Sequence, residues 1–272
     1  MKIPATIGML SYNSEKNLAR ALASVKDFAE IIIADGGSTD ATLEIARAAG
    51  ARVISQSNPG HDIEDFSRER NLTLAAATQP WFFYLDSDEI MSTELVEHIR
   101  AVATDNAHPY GAYRVRYLKT NADASRLYRT YREYYQIRLV RTDVGASFEQ
   151  PVHEHIRVPA GVAIGQTEAP WYVPLDAGDL SVRVFSKKAW KRVGIQAAQW
   201  VPKSIIESVR RILIDPIILI LKSLFKMVAV KLRYGEDAIP ARYEMLRILY
   251  SCFISIQNIR RLVRGRARMT GV

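Results

Sequence analysis

Short apolar runs alternate with amphipathic stretches through the first hundred residues, and the alternation predicts the elements. The run IPATIGML (3–10) reads as a strand, and Asn13 or Ser14 is placed to cap a helix running to about Val25. EIIIAD (30–35) is a second strand, TDATLEIARAAG (39–50) a helix closed by Gly50, and ARVISQ (51–56) a third strand. IEDFSRERNLTLAAA (63–77) predicts a helix, WFFYLDSD (81–88) a fourth strand, and Ser92 the cap of a helix carrying Glu94. Strand and helix repeated at this spacing predict right-handed βαβ units around a parallel sheet, whose ligands bind beyond the carboxyl ends of the strands. From Tyr110 the pattern changes. YGAYRVRYLKT (110–120) and YYQIRLVRT (134–142) alternate with period two, as antiparallel strands with one wet face do. PVHEHI (151–156), GVAIG (161–165) and APWYVP (169–174) follow, the last bracketed by prolines, and beyond about Leu180 the chain is helical.

Composition narrows this further. With 272 residues, 48% of them hydrophobic, the chain can bury a large core. The one cysteine, Cys252, excludes an internal disulfide and a cysteine-rich zinc site, and among Tyr250, Phe253 and Ile254 it is expected in an apolar environment. The opening MKIPATIGMLSYN has too short an apolar run for a secretory signal, so the expected location is cytoplasmic. Residues 1–180 hold 18 Lys and Arg against 24 Asp and Glu, net −6; residues 181–272 hold 19 against 5, net +14. The division expected is a catalytic α/β domain over 1–175 and a basic helical region over 176–272.

The candidate chemistry collects at three strand ends. Asp86-Ser87-Asp88 puts two carboxylates around a small residue, an arrangement that suits a hard divalent cation such as Mg²⁺ or Mn²⁺; a plain strand-to-helix turn is the alternative. In IIIADGGSTD, Asp35 is followed by two glycines that permit close backbone approach, and a carboxylate there can accept from a base N–H or bind ribose hydroxyls. Ser38 and Asp40 read equally well as capping residues. PVHEHI carries His153 and His155 two apart, which on a strand share one face and leave Glu154 on the other. Zinc is disfavoured there for want of a third ligand. His61, His98 and His108 have no partner pattern and are expected to be structural or solvated.

TIGMLSYNSEKNLARALASV, EIIIADGGSTDATLEIA, RERNLTLAAATQPWFFYLDSDE and PVHEHI together resemble family 2 glycosyltransferases of the GT-A fold, most closely the lipopolysaccharide inner-core glucosyltransferase branch. The resemblance is strong over residues 3 to about 156. It implies a Rossmann-type mixed sheet flanked by helices and an inverting transfer from a nucleoside-diphosphate sugar, a UDP-sugar favoured, to a lipid-linked or lipopolysaccharide-type glycan. It implies that Ser11, Tyr12, Asn13 and Asp35 line the nucleotide, that Arg70 contacts phosphate or pairs with the acidic strand end, and that Asp86 serves both nucleotide and metal. Asp88 and His153 complete the implied metal set. Glu154 and Glu89 are the candidate bases, since this chain departs from relatives that take a base from a Glu-Asp pair. A sugar-nucleotide pyrophosphorylase is disfavoured because GMLSYNSEKN holds no Gly-rich basic phosphate loop.

The basic region raises a second question. ILIDPIILILKSLFKMVAVKL (212–232) is the most apolar segment, yet its longest uncharged run, Pro216–Leu221, is far too short to span a bilayer. Asp215, Lys222, Lys226 and Arg233 fall on one stripe at about 100° per residue, with Lys231 opposite. Together with RRLVRGRAR (260–268), these helices are expected either to pack on the core or to lie on the anionic inner face of the cytoplasmic membrane. A nonenzymatic membrane- or nucleic-acid-binding module is the rival reading, although no nucleic-acid motif is present.

Overall fold

The apolar runs of the first half become parallel strands because both of their faces are covered. The computed structural model describes residues 1–105, 107–176, 180–200 and 204–269. In it β1 (Ile3–Ser11), β2 (Phe28–Asp35), β3 (Arg52–Ser55) and β4 (Trp81–Tyr84) alternate with α1 (Glu15–Ser24), α2 (Thr42–Ala48) and α3 (Phe66–Ala76). β1 lies between β2 and β4, parallel to both, and β3 adds to β2 at the edge. After β5 (Ile90–Met91) and α4 (Thr93–Thr104) come β6 (Ala112–Asn121), β7 (Leu127–Tyr128), β8 (Tyr134–Arg141), β9 (Ser147–Glu149), β10 (His155–Arg157) and β11 (Ile164–Leu175). The sheet order is β3-β2-β1-β4-β8-β6-β11-β5, antiparallel at β4–β8, β8–β6 and β11–β5, while β9 and β10 form a separate hairpin. This is the mixed, helix-flanked α/β sheet expected.

The period-two pattern of β4 decides where the cores form. Trp81, Phe83 and Leu85 enter one core with β1, β2, α1 and α4; Phe82 and Tyr84 enter the other with Ala112, Val140, Phe148 and Ile156. Two expectations need correcting. The fourth strand ends at Tyr84 rather than Asp88, because the Asp86 carbonyl accepts from the Glu89 N–H at 3.0 Å and closes a turn. GVAIG and APWYVP run into one long strand, β11, rather than two separate runs.

The chain divides into two compact units, 1–120 with 133–174 and 121–132 with 175–272. The second contains α5 (Val182–Gln199), α6 (Ile205–Val209), a π-helical turn (Arg210–Ile214), α7 (Asp215–Tyr234) and α8 (Ala241–Met269). Leu175, Val230, Ala238 and Ile239 form its small core, with Tyr128, Tyr234 and Tyr243 packed on it. Cys252 in α8 is half-buried, and the expected basic side chains beyond Val263 lie outside the described residues.

Gly8 lets α3 and β4 close on β1: a Cβ there would collide with the Phe82 ring and stand 2.7 Å from Thr73 Oγ1. Gly8→Ala is therefore expected to cost about 1–3 kcal/mol by overpacking. Urea denaturation measures it, and Phe82→Leu in the same chain should return part of the loss.

Candidate active site

The carboxyl ends of β1, β2 and β4 meet because the strands are in register: Ser11 lies beside Asp35, and the Leu85 amide donates to Gly8 O at 3.0 Å. The loops that leave these ends are laced together. Asn13, at φ +46°, donates its N–H to Ser38 Oγ at 2.9 Å and accepts at Oδ1 from the Thr39 N–H at 2.8 Å. Asp35, buried, accepts from the Gly37 and Ser38 amides, each at 2.8 Å, and from Ser38 Oγ at 2.6 Å. The glycines are used as their positions require: Gly37 has φ +90°, and a Cβ on it would stand 2.9 Å from Gly60 N. The Asp40 carboxylate accepts from the Thr42 and Glu15 amides at the starts of α2 and α1, whose N-cap residues, Ala41 and Ser14, make no side-chain cap bond. Tyr12 is exposed; Ser11 is buried, and its hydroxyl has no hydrogen-bond partner among the described residues. Beside Asp35 and Gly37 opens a cleft of about 450 Å³ that Leu43, Arg47, Val53 and Ser55 also line.

The acidic turn after β4 is held by two arginines. Arg138 donates to both carboxylate oxygens of Glu89, at 2.8 and 3.3 Å, and to Tyr84 O at 3.2 Å. Glu89 also accepts from the Asp86 N–H at 3.1 Å. Burial pushes the Glu89 carboxyl above its ordinary range and the Asp86 charge adds to the rise, while Arg138 opposes both. A carboxylate clamped in this way braces the turn, so the structure moves Glu89 from the candidate bases to the support of Asp86.

Arg70 joins the turn to a distant segment. Its Nη2 donates to Asp86 Oδ1 at 2.7 Å and its Nε to Glu154 Oε1 at 2.8 Å. Burial lowers the guanidinium, but Asp86 and Glu154 outweigh it and hold Arg70 above its ordinary value. Both guanidiniums lie over the Tyr84 ring, at 4.7 Å for Arg70 and 3.9 Å for Arg138, in favourable cation–π range. The next residue on α3, Asn71, holds both backbone groups of Phe148 in β9, accepting from its N–H at 2.8 Å and donating to its carbonyl at 3.0 Å.

The PVHEHI segment is not the strand expected. Gln150 and His153 have φ of +74° and +62°, so the backbone turns there and strand pairing begins only at His155, opposite Glu149. The alternation argument for His153, Glu154 and His155 therefore fails, and Glu154 reaches the site by the turn instead. Such backbone in non-glycine residues concentrates at functional sites. Among the described residues no three His, Cys, Asp or Glu side chains are grouped to hold a metal ion, so the expected set of Asp86, Asp88 and His153 is not assembled. Asp88 stands exposed on the turn.

Three contributors were missed in the sequence. Arg138 is a lone cation in an apolar stretch of β8, a signal that was available. Gln56, buried, donates to Ser11 O and Ala34 O and ties β3 to the two strand ends beside it. Glu69, next to Arg70, accepts from the Ser57 N–H at 2.8 Å and from its hydroxyl. These last two bond to segments well apart in the chain, strand ends and the loop at Ser57, which no spacing in the chain reveals.

A parallel αβ half joined to antiparallel strands, with its polar groups at the carboxyl edge, is the GT-A arrangement. A family model described as glycosyl transferase family 2 matches residues 6–156, and the chain belongs to that family. The chain is 32% identical over 167 residues to a TPR repeat-containing protein of Synechococcus elongatus, covering 61% of this chain and 38% of that one. It is 32% identical over 112 residues to an uncharacterized glycosyltransferase of Rickettsia typhi, covering 40% and 37%. The chain thus spans well under half the length of these relatives. Among solved structures, mannosyltransferase PcManGT of Pyrobaculum calidifontis, in complex with GDP-Man and Mn²⁺, aligns over 95% of this chain and 88% of its own with a TM-score of 0.53 at 13% identity, a likeness of fold.

Replacing Arg138 by Met leaves Glu89 buried without its cation, and a loss of about 3–5 kcal/mol is expected in urea denaturation. Because the Glu89 pKa is raised in the folded state, the unfavourable charge is absent below the unfolded value and develops as pH rises through the folded one. The loss should therefore be smaller near pH 4 than near pH 8, and Glu89→Gln in the same chain should recover most of it.

Proposed function

We propose that this chain transfers a hexose, with inversion, from a nucleoside-diphosphate sugar to a hydroxyl of a lipid-linked or lipopolysaccharide-type glycan. The observation that carries the reading is the bridge through Arg70, which ties the acidic turn after β4 to Glu154 at the sheet edge where Ser11 and Asp35 also end. Support comes from the family match and from the fold. A UDP-sugar is the favoured donor and the inner-core glucosyltransferase branch the favoured relative, both on the motif resemblance.

In this reading the laced loops after β1 and β2 form the nucleotide end of the site. Ser11, Tyr12, Asn13 and Asp35 line the base and ribose, and the orphan Ser11 hydroxyl gains a partner when they arrive. Asp86 and Asp88 offer hard oxygens on one turn, a donor set that fits Mg²⁺ or Mn²⁺ completed by phosphate oxygens and water. Bound there, the cation supplies neutralisation of the departing diphosphate. Arg70 adds a fixed positive charge beside it. The acceptor oxygen attacks the anomeric carbon as the bond to the diphosphate breaks, and Glu154 takes the acceptor proton. His153 shapes the turn that presents Glu154.

Thermal denaturation with nucleoside diphosphates, with and without Mn²⁺, tests the donor site. One nucleotide, UDP on this reading, should raise the melting temperature in a Mn²⁺-dependent way, and Asp88→Ala should remove the Mn²⁺-dependent part. Glu154→Gln should keep the shift while lowering turnover about 10²–10⁴-fold. Absence of any nucleotide-dependent shift, or full turnover in both variants, refutes the assignment.

A further inference from the structure

The most apolar helix of the chain turns only a narrow stripe of small and mixed residues inward. Along α7 the buried residues are Pro216, Ser223 and Val230, seven apart and so on one stripe. On the opposite side Ile217, Leu221, Leu224, Phe225, Val228 and Leu232 are all exposed, Phe225 to 60% and Leu232 to 82%. The surface continues through α6 and the π-helical turn, where Ile205 and Ile206 are 80% and 82% exposed and Val209 and Leu213 are exposed as well. This helical run, from Ile205 to Tyr234, is about 45 Å long at 1.5 Å per residue.

A helix that faces only water shows the reverse arrangement, and a contiguous apolar surface of this extent marks a contact with something else. The charges identify the contact. At about 100° per residue the apolar arc of α7 is flanked by Lys222, Lys226 and Arg233 on one side and by Lys231 on the other. Their aliphatic stems can run along the apolar face and lift the cationic ends to its rim. Asp215 is the one acidic residue of α7, and it lies on the Lys222 flank near Arg210 at 3.6 Å.

We propose that the face running from Ile205 to Leu232 is the contact surface for an anionic lipid bilayer, with the helix lying in the plane of the interface. An apolar centre between two cationic rims matches acyl chains beneath a layer of anionic headgroups. A second copy of the chain fits less well, because a two-fold contact on this face brings the same cations together in a region of net charge +14. Nucleic acid would leave the apolar centre without a partner. No helix among the described residues is long and apolar enough to cross a membrane, which agrees with a helix that rests on the surface. The inference stands apart from the transfer reaction, since it concerns only the second unit.

Cosedimentation of the full chain with vesicles tests it. The protein should bind vesicles of equal parts phosphatidylcholine and phosphatidylglycerol, bind pure phosphatidylcholine weakly, and lose affinity as salt rises. Lys222→Gln with Lys226→Gln should weaken binding about 25-fold, at about fivefold per cation. Leu221→Ser with Leu232→Ser should weaken it at least as much, and because these side chains face outward, both double variants should keep the melting temperature and the nucleotide response of the parent. Equal binding by the variants and the parent overturns the proposal. So does absence of vesicle binding, whether the protein instead self-associates through Leu221 and Leu232 or binds oligonucleotides. Vesicle binding without any transferase activity leaves this inference standing and removes only the catalytic one.

Discussion

Carboxylates can gather at the end of a buried strand only where cations or open water stand beside them, and that constraint organises the first unit. Asp86, Asp88 and Glu89 occupy four consecutive positions with Ser87, and Glu154 is brought to them by another segment. Two arginines from separate elements answer this charge, one from α3 and one from β8, and both rest on the Tyr84 ring. The aromatic face lets two like-charged guanidiniums come near each other, because each is attracted to the ring and to its own carboxylates. Arg138 with Glu89 is fully desolvated and closed, a structural pair. Arg70 is open on the side of Asp86, whose side chain keeps partial contact with solvent.

That difference separates what supports the site from what can respond to a ligand. A guanidinium shared by Asp86 and Glu154 links them thermodynamically: whatever draws Asp86 away from Arg70 alters the charge felt by Glu154. The linkage is reciprocal, so whatever draws Glu154 away from Arg70 alters the hold on Asp86 as well. No moving relay is required. Asn71 keeps the arrangement in register by holding β9 to the same helix that carries Arg70.

Much of this was legible in the chain. The βαβ half followed from periodicity, since β1, β2 and β4 are continuous apolar runs and α1 and α4 carry clear apolar stripes. The strand ends at Ser11 and Asp35 followed from the same pattern, whereas Asp86, expected inside the fourth strand, lies on the turn that follows it. What stayed hidden depends on contacts between distant segments. Arg70 bonds to Glu154 across 84 positions and Asn71 to Phe148 across 77, and neither pairing leaves a periodic trace. The turn at His153 was misread because alternation assumes an extended backbone, while positive φ at Gln150 and His153 is set by how the hairpin returns to α3, where Phe66 N–H donates to the Pro151 carbonyl. The sequence showed the apolar character of α7 but not which side faced inward, since that depends on the small core around Val230.

On the two proposals above, the outward apolar arc of α7 would also change how an acceptor is found. A chain held at a surface searches in two dimensions, and an acceptor carried by the same surface meets it at an effective concentration set by areal density rather than by bulk amount. Under that regime the acceptor end of the catalytic site can bind its hydroxyl weakly and release its product quickly, because proximity is supplied elsewhere in the molecule. Selectivity would then divide in two, with the helical face choosing the compartment and the sheet edge choosing the bond.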